Sequence, residues 1–373
     1  MGRPVRVLHV IDHLGPGGAQ RQLVELACHL DRRRFEVHLC GLSTDRLEFA
    51  VPLREQQIPL RLIPQHGTVD LQALRELLRH MRSLRPDIVQ TWLFTADLYG
   101  RVAAWLAGVR AVVSSVRSVE LDKRLRHVWS DRLLSTITDR FIVNARVVGE
   151  RLHQREWVRP GRIVTIYNGV DHEALAPDPR REPPAVRWRW GPADRIVGFI
   201  GRLTSEKRPD LFLEAAARVR ERLPDARFVM VGSGGQSALR SRVAELGLGD
   251  AVEIEGFRSP IGPVLHDLDL LVSSSDFEGC SNTILEAMAA GVPVVATDVG
   301  GNRELLQGEV GWLVPPGNAA LLAGAIELAL SDPAARRARA AAGLERARGE
   351  FTVGTMVRHH ERLYDELAGS ERE

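Results

Sequence analysis

Short aliphatic runs alternate with longer stretches of helical periodicity along the whole chain, and this alternation restricts the fold more than any other feature of the sequence. The pattern is typical of α/β proteins with parallel sheets. Helical patterns in the first half lie at residues 19–30, 71–84 and 96–107. For that half we predict strands at residues 5–11, 35–42, 60–63, 87–92, 111–116, 141–143 and 163–166.

A change in the sequence pattern divides the chain into two parts. Residues 174–194 carry five prolines and no clean period, which indicates a connection between domains. The alternation then restarts, with strands predicted at residues 196–200, 228–231, 252–254, 268–272 and 293–296. We therefore predict two doubly wound domains, residues 1–175 and 190–350, and a C-terminal helix at 351–373 that packs back on the first. Ligands of open α/β sheets bind beyond the carboxyl ends of the strands, which predicts a shared site in a cleft between the domains.

Cysteine usage and hydropathy exclude several classes of protein. Three cysteines without CxxC spacing argue against a disulfide framework and a zinc site. No apolar run reaches the 18 or so residues of a membrane span, and the first residues lack the apolar core of a signal peptide. We expect a cytoplasmic protein.

Charge is unevenly distributed along the chain. The first 180 residues hold 27 Lys and Arg against 20 Asp and Glu, and the remainder holds 23 against 28. Lysine is nearly absent, because 48 of the 50 basic residues are Arg and the two lysines are Lys123 and Lys207. Lys207 lies in the segment GRLTSEKRP, just past the first strand of the second domain. Arg202 and Lys207 could both reach a diphosphate there, and a solvated charge cluster is the alternative.

Three glycine turns follow predicted strands, where backbone N–H groups can approach an anion. They are Gly15-Pro16-Gly17-Gly18-Ala19-Gln20, Gly232-Ser233-Gly234-Gly235-Gln236-Ser237 and Val299-Gly300-Gly301-Asn302-Arg303-Glu304. Gln20 and Gln236 stand where a dinucleotide fingerprint needs its third glycine. An NAD site is therefore disfavoured, and plain turns without a ligand remain the alternative.

The segment from Asp276 to Gly291, DFEGCSNTILEAMAAG, carries two glutamates with seven residues between them. Ser281 or Asn282 is a natural helix cap, so Glu278 is predicted in the loop and Glu286 inside the helix. Free amides of residues 281–283 would point out of the helix start toward a nearby phosphate. A solvated helix face is the ordinary alternative for Glu286 taken alone.

These segments together resemble the retaining glycosyltransferases of family four. The resemblance covers nearly the whole chain, and the two glutamates followed by AMAAG are its most specific part. It implies the GT-B fold, in which two facing Rossmann-like domains bind a sugar nucleotide in their cleft. The segment PDIVQTWLFTADLYGRVAAWLAGV and Arg117 are also similar to the subgroup that builds O-antigen, capsule or exopolysaccharide chains.

The resemblance implies roles for individual residues. Arg202 and Lys207 would bind the diphosphate of the donor, and we expect the donor to be a UDP-sugar. Glu278 would contact hydroxyls of the transferred sugar, and Glu286 would bind the ribose. The remaining donor contacts would come from Gly17, Gly18, Arg117 and the amides of Ser281, Asn282 and Thr283.

Two departures from the family pattern concern the catalytic base. Many members carry a histidine near Gln90 to Trp92 or after the fifth strand, where this chain has Gln90-Thr91-Trp92 and Ser115-Val116-Arg117-Ser118. The family's retention is commonly ascribed to front-face attack, in which the leaving diphosphate takes the acceptor proton, so no protein base is required. No cofactor and no metal are expected, although Asp267-Leu268-Asp269 has the form of a manganese-binding DxD motif.

The implied partners are a sugar nucleotide and a glycan or lipid-linked acceptor, with peripheral contact to an anionic membrane through the basic first half and no nucleic acid. Alternatives are an NAD-dependent oxidoreductase and a catalytically silent GT-B subunit. A pyridoxal phosphate phosphorylase is disfavoured by length. Trp188-Arg189-Trp190, with Arg187, is interpreted as packing on the second domain, and a membrane-surface or sugar-stacking patch is the alternative.

Overall fold

The computed structural model describes residues 3–67, 69–117, 131–176, 188–191 and 194–369. The chain divides into two compact units, Met1–Gly169 with Val353–Glu373, and Val170–Thr352. The division falls at Gly169 and not at the predicted residue 175, because the Val170 N–H donates to the Phe351 carbonyl over 2.8 Å and Val170 bridges Thr352. The second unit therefore begins at Val170 and ends at Thr352.

The first unit is built on a seven-stranded parallel sheet of order β3-β2-β1-β4-β5-β6-β7. Its strands are β1 Val5–Ile11, β2 Phe35–Gly41, β3 Leu60–Leu62, β4 Ile88–Trp92, β5 Ala111–Val116, β6 Arg140–Val143 and β7 Ile163–Thr165. The helices between them are α1 Gly18–His29, α2 Val51–Glu55, α3 Leu71–Leu84, α4 Phe94–Ala107 and α5 Arg146–Glu156. Each predicted strand of this half is present, with its ends shifted by at most one residue.

Burial on both faces explains why these strands are nearly continuous apolar runs. One core lies under α1 and contains Val7, Leu23 and Trp92, and the other, under α3 and α4, contains Leu8, Leu77 and Ala103. Helix ends follow local rules as well. Asp70 caps α3 by accepting the Ala73 N–H over 2.9 Å, which satisfies a donor that the helix leaves unpaired.

The second unit contains a six-stranded parallel sheet of order β10-β9-β8-β11-β12-β13. Its strands are β8 Arg195–Ile200, β9 Ala226–Val231, β10 Val252–Glu255, β11 Leu270–Ser273, β12 Val294–Thr297 and β13 Trp312–Val314. Its helices are α6 Pro209–Arg222, α7 Gln236–Glu245, α8 Gly262–His266, α9 Asn282–Ala289, α10 Asn302–Leu306, α11 Ala319–Ser331 and α12 Pro333–Glu350. The sequence analysis missed β13, although it identified β3 and β7, which are equally short edge strands.

The order of this sheet fixes where a ligand can bind. The chain runs from β8 outward through β9 and β10, then returns to the other side of β8 as β11. The carboxyl ends of β8 and β11 therefore mark the topological switch point, where open α/β sheets leave a crevice. The segments that the sequence analysis selected, 201–209 and 276–291, begin immediately beyond these two strands.

The C-terminal stretch is two helices and not one continuous helix. After α12 ends, Phe351 and Thr352 interrupt the helical pattern before α13, Val353–Gly369, which belongs to the first unit. Met356, Val357 and Tyr364 of α13 lie in the same hydrophobic core as α1 and β1. No helix among the described residues is long and apolar enough to span a membrane.

The aromatic segment at 188–190 packs on its own unit. The Trp190 indole N–H donates to the Asp250 carbonyl over 3.0 Å, and the Arg189 guanidinium donates to the Val252 carbonyl over 2.7 Å. Trp188 is buried. The packing interpretation of this segment is confirmed for these three residues, whereas Arg187 lies outside the described residues.

A cluster of polar side chains lies inside the first hydrophobic core, between β1, β4 and α13. The Tyr364 hydroxyl donates to the Gln90 side-chain carbonyl, and the Trp92 indole N–H donates to His9 Nδ1 over 3.3 Å. His360 lies one helical turn from Tyr364, and its Nδ1 is 2.9 Å from the Met356 carbonyl. Burial lowers the pKa of both His9 and His360 to about 3, from an ordinary 6.5. Both rings are therefore neutral in the folded protein.

We predict acid destabilisation from these two histidines. Between about pH 3 and 6.5 the unfolded chain binds protons that the folded core rejects, so stability falls as the pH is lowered through this range. At about pH 5 each histidine costs roughly 2 kcal/mol of unfolding free energy. We expect the unfolding free energy of His360→Gln, measured with urea across this range, to depend less steeply on pH than that of the wild type. The difference in slope should correspond to about one proton.

Tyr364→Phe serves as the control for this measurement. It removes a buried hydrogen bond and lowers stability, but the pKa of Tyr364 is raised by burial, so the hydroxyl does not titrate in acid. The acid slope of Tyr364→Phe is expected to equal that of the wild type. A His360→Gln slope that matches the wild type would contradict the burial of a neutral ring.

Candidate functional site

Lys207 and Glu278 meet at the switch point of the second sheet. The Lys207 Nζ lies 2.5 Å from Glu278 Oε1, in the loops after β8 and β11 respectively. Their side chains are 23% and 10% exposed, so the pair is largely withdrawn from water yet still accessible. A second donor, the Ser275 hydroxyl, reaches the same Oε1 over 2.8 Å. The structure thus brings together two of the residues that the sequence analysis selected independently.

The backbone around Lys207 is fixed by contacts to the end of β11. Lys207 closes a 3-10 turn, Ser205–Lys207, and Arg208 follows in the left-handed region at φ 52°. The Ser274 hydroxyl donates to the carbonyls of Lys207 and Arg208 over 3.0 and 2.8 Å. The Asp276 N–H donates to the Glu206 carbonyl over 2.9 Å. The two loops therefore position each other before any ligand is present.

Arg208 is a charged residue of this region that sequence reasoning missed. Its guanidinium contacts Asp210 at 2.9 Å and Asp276 at 3.1 Å, and the hydrogen bond to Asp210, the largest cause, raises the pKa of Arg208. These contacts pin the start of α6 to the loop after β11. The available signal was Asp276, which directly follows three serines at the end of a buried strand.

Arg202 is not part of the Lys207 and Glu278 pair. Its side chain is 61% exposed and forms an ion pair with Glu206, four residues along the same loop. An exposed pair of this kind contributes little stability, so it can exchange partners readily. Arg202 is therefore close to Lys207 in sequence, but it pairs with Glu206 and not with Glu278.

The start of α9 follows the predicted pattern. Ser281 is its N-cap, with the hydroxyl 3.4 Å from the Ile284 N–H, while Asn282 and Thr283 are half-buried in the first turn. Glu286 is 6% exposed inside this helix. The alternative of a solvated helix face is therefore wrong for Glu286. Carboxylates are rarely buried in proteins unless another group pairs with them.

The glycines at 300 and 301 explain how the Glu278 loop is held. The Gly301 N–H lies 3.2 Å from the Glu278 carbonyl and 3.0 Å from that of Gly279. Gly300 has φ 51°, and a Cβ there would lie 1.7 Å from the Glu278 carbonyl oxygen. Only glycine permits this approach of two backbones. Gly232 has a similar packing reason, since its Cβ would lie 1.7 Å from the Gly201 carbonyl oxygen.

The predicted residues of the first unit lie at the carboxyl ends of β1 and β5. Gly17 immediately precedes α1, and Gly18 is its first residue. Arg117 follows β5, where its guanidinium donates to the Asn168 side chain over 2.5 Å and lies 5.0 Å from the centre of the Trp92 ring. Sequence reasoning missed His13, whose Nδ1 accepts the Gly15 N–H over 3.1 Å and so orders the glycine turn.

The Asp267-Leu268-Asp269 motif lies at the amino end of β11, opposite the carboxyl end that carries the Glu278 loop. Asp267 and Asp269 precede β11, and the Asp269 carboxylate accepts the Ile196 N–H over 3.0 Å and lies 3.5 Å from Arg336. In the described part of the chain, no group of three or more His, Cys, Asp or Glu side chains is arranged to hold a metal ion. The two aspartates have structural partners.

Two doubly wound units, with an accessible cation and carboxylate at the switch point of the second, define a GT-B glycosyltransferase architecture. The family models agree with this class. Residues 194–332 match the glycosyl transferases of group 1, and residues 16–174 match Glycosyltransferase Family 4. The chain is 31% identical to the 2-deoxystreptamine glucosyltransferase of Streptomyces kanamyceticus, with 78% of this chain and 81% of the relative covered. The chain belongs to the family 4 glycosyltransferases.

Two further comparisons add detail. The chain is 28% identical to the UDP-Gal:alpha-D-GlcNAc-diphosphoundecaprenol alpha-1,3-galactosyltransferase of Escherichia coli, with 83% of this chain and 84% of the relative covered. Anabaena HepE in complex with UDP-glucose superposes with a TM-score of 0.83 at 22% identity, covering 96% and 99% of the two chains. At that identity the match shows the fold alone, which is the GT-B fold expected from the sequence.

Proposed function

We propose that this glycosyltransferase moves a sugar from a UDP-sugar to a glycan or lipid-linked acceptor, with retention of configuration, in cell-surface polysaccharide synthesis. The names of two similar proteins support this choice. The Escherichia coli relative is named for UDP-galactose and a diphosphoundecaprenol acceptor, and HepE is described with UDP-glucose.

The contact between Lys207 and Glu278 is the observation that carries the proposal. A compact ammonium at the switch point suits the diphosphate, and the adjacent carboxylate suits hydroxyls of the transferred sugar. The buried Glu286 would bind the ribose, and the amides of residues 281–283 would face the diphosphate or the sugar. Arg202 would exchange its exposed partner Glu206 for a phosphate oxygen.

Charge on the leaving group sets what the site must do. As the bond between the sugar C1 and the diphosphate oxygen breaks, negative charge grows on the diphosphate and must be stabilised by cations or oriented amides. The acceptor oxygen forms the new bond to C1 on the same face, and its proton passes to the leaving diphosphate. We propose that Lys207 and Arg202 supply the positive charge and that neither a metal ion nor a cofactor takes part.

The pairing of Lys207 with Glu278 also bears on the alternative of a catalytically silent subunit. The presence of Arg202, Lys207, Glu278 and Glu286 argues against a decayed site. Slow hydrolysis of a UDP-sugar by the purified chain would support an active enzyme. A thermal-shift screen across UDP- and GDP-sugars identifies the donor, because a bound ligand raises the apparent stability of the native state.

We further propose that the first unit receives the acceptor and touches an anionic membrane. The first 180 residues carry seven more basic than acidic side chains, from 27 Lys and Arg against 20 Asp and Glu. Trp157 is 66% exposed and lies in the left-handed region at φ 58°, with the Arg132 guanidinium 3.5 Å from its ring centre. An exposed aromatic ring with a stacked cation suits a lipid headgroup region.

We predict that Lys207→Ala lowers turnover by at least about a hundredfold, since the loss of one such donor costs roughly 3–4 kcal/mol of transition-state stabilisation. The assay is donor hydrolysis or transfer at saturating donor, in EDTA to remove adventitious metals. Arg222→Ala is the control, because that exposed side chain pairs with Glu327 at the protein surface. A folded Lys207→Ala enzyme with near-normal turnover would refute the role.

Membrane contact predicts sedimentation with vesicles that contain phosphatidylglycerol, and release by salt at about 0.5 M, where screening is nearly complete. Trp157→Ala is expected to weaken this association several-fold, because it removes the exposed ring. Trp105→Ala is the matched control, since that ring is 59% exposed in the same unit. Equal binding to neutral and anionic vesicles would contradict the proposal.

A further inference from the structure

A column of buried polar side chains connects the start of α10 with the Glu278 carboxylate. Asn302 Nδ2 donates to the Thr297 carbonyl over 3.0 Å. The Thr297 hydroxyl donates to the Ser275 carbonyl over 2.6 Å, and the Ser275 hydroxyl donates to Glu278 Oε1 over 2.8 Å. Asn302 and Thr297 are 0% exposed and Ser275 is 2% exposed. The column lies wholly within the second unit and is not explained by packing of apolar groups.

The two donors to Glu278 meet a single oxygen. Lys207 Nζ lies 2.5 Å from Oε1, and the Ser275 hydroxyl reaches that same atom. Among the described residues, both side-chain hydrogen bonds to the Glu278 carboxylate go to Oε1, and Oε2 accepts none. One carboxylate oxygen is therefore anchored on both sides, and the other is left to accept a hydroxyl of a ligand.

Lys207 alone cannot set this orientation. An ammonium is a compact point charge on a flexible stem, and it interacts nearly equally well with either oxygen of a carboxylate that turns about its terminal bond. The Ser275 hydroxyl differs, since it comes from a buried residue whose carbonyl is itself held by Thr297. A buried hydroxyl that donates to one oxygen makes the two carboxylate oxygens distinct.

The support beneath Ser275 explains why it stays in place. Thr297 ends β12, and its hydroxyl lies within reach of the carbonyls of both Ser273 and Ser275 at the end of β11. Asn302 in turn braces the end of β12. Two neighbouring strand ends are thus held together directly below the Glu278 loop, which gives a rigid base for a carboxylate that must meet a sugar.

We propose that Ser275 is a positioning residue, supported by Thr297 and Asn302, that fixes Glu278 so that Oε2 faces the transferred sugar. This inference rests on the proposed function, because it assigns the sugar contact to one atom of Glu278. Ser275 acts through Glu278 and touches neither the nucleotide nor the reacting atoms. Its loss should therefore affect the sugar part of the donor and leave the nucleoside diphosphate unaffected.

The test is Ser275→Ala, assayed with UDP-glucose for turnover and with UDP alone for affinity. We expect turnover to fall about tenfold, with UDP affinity within about twofold of the wild type, because UDP has no sugar to meet Oε2. Ser241→Ala is the control, since it removes a serine hydroxyl from α7 in the same unit, where it donates to the Ser237 carbonyl. Weakened UDP binding in Ser275→Ala would overturn the proposal in favour of a general structural role.

A double-mutant cycle with Glu278→Ala, which removes the acceptor of the Ser275 hydroxyl, separates positioning from an independent effect. If Ser275 acts through the carboxylate, adding Ser275→Ala to Glu278→Ala should change turnover by less than about twofold. A full tenfold further loss would contradict the proposal. Thr297→Val, which removes the supporting hydroxyl in nearly the same volume, should show a smaller loss of the same kind, and Thr297→Ser should restore it.

The outcomes distinguish this inference from the function on which it rests. A wild-type chain that binds neither UDP nor UDP-glucose would contradict the proposed UDP-sugar function and the inference together. Wild-type turnover that falls in Glu278→Ala but survives Ser275→Ala unchanged would leave the proposed function standing and contradict the role of Ser275 alone.

Discussion

The ion pair between Lys207 and Glu278 is the interaction on which the second unit's site depends. It joins two loops that are far apart in sequence but lie beyond adjacent parallel strands, β8 and β11. A largely buried charge pair is tolerable only where further hydrogen bonds satisfy it. Here Ser275 supplies one to the carboxylate, while Ser274 holds the backbone that carries the lysine.

The packing of glycines follows from the same constraint. Placing Glu278 against Lys207 brings its loop into backbone contact with Gly300, where no side chain fits, and with the N–H of Gly301. The loop after β8 meets Gly232 in the same way. The glycine turns that the sequence analysis selected as phosphate-binding candidates therefore have a second role. They let the loops around Lys207 and Glu278 approach one another.

Much of this was predictable because it depends on local pattern. Strands buried on both faces produce apolar runs that end where the functional loops begin, and Ser281 caps α9 as the capping rules require. The boundary between α12 and α13 lies at the predicted end of the second domain, residue 350, and the chain passes from the second unit to the first within the next two residues.

Other features depend on tertiary contacts that no local pattern encodes. Ser275 is one serine in a row of three, and only the structure shows that its hydroxyl reaches Glu278. Arg202 and Lys207 look equivalent in sequence, yet one is exposed beside Glu206 and the other is half-buried beside Glu278. His9 lies within the apolar run VLHVI, where nothing reveals that Trp92 contacts it.

The central claim is that the Lys207 and Glu278 pair marks where a nucleoside diphosphate binds, and the preference for UDP over UMP tests it most directly. The distal phosphate is the group that the lysine should recognise. We predict that the wild type binds UDP at least about tenfold more tightly than UMP, and that this preference is several-fold smaller in Lys207→Ala, still folded, with the remainder supplied by Arg202 and the amides of residues 281–283. An undiminished preference for UDP in Lys207→Ala would contradict the account.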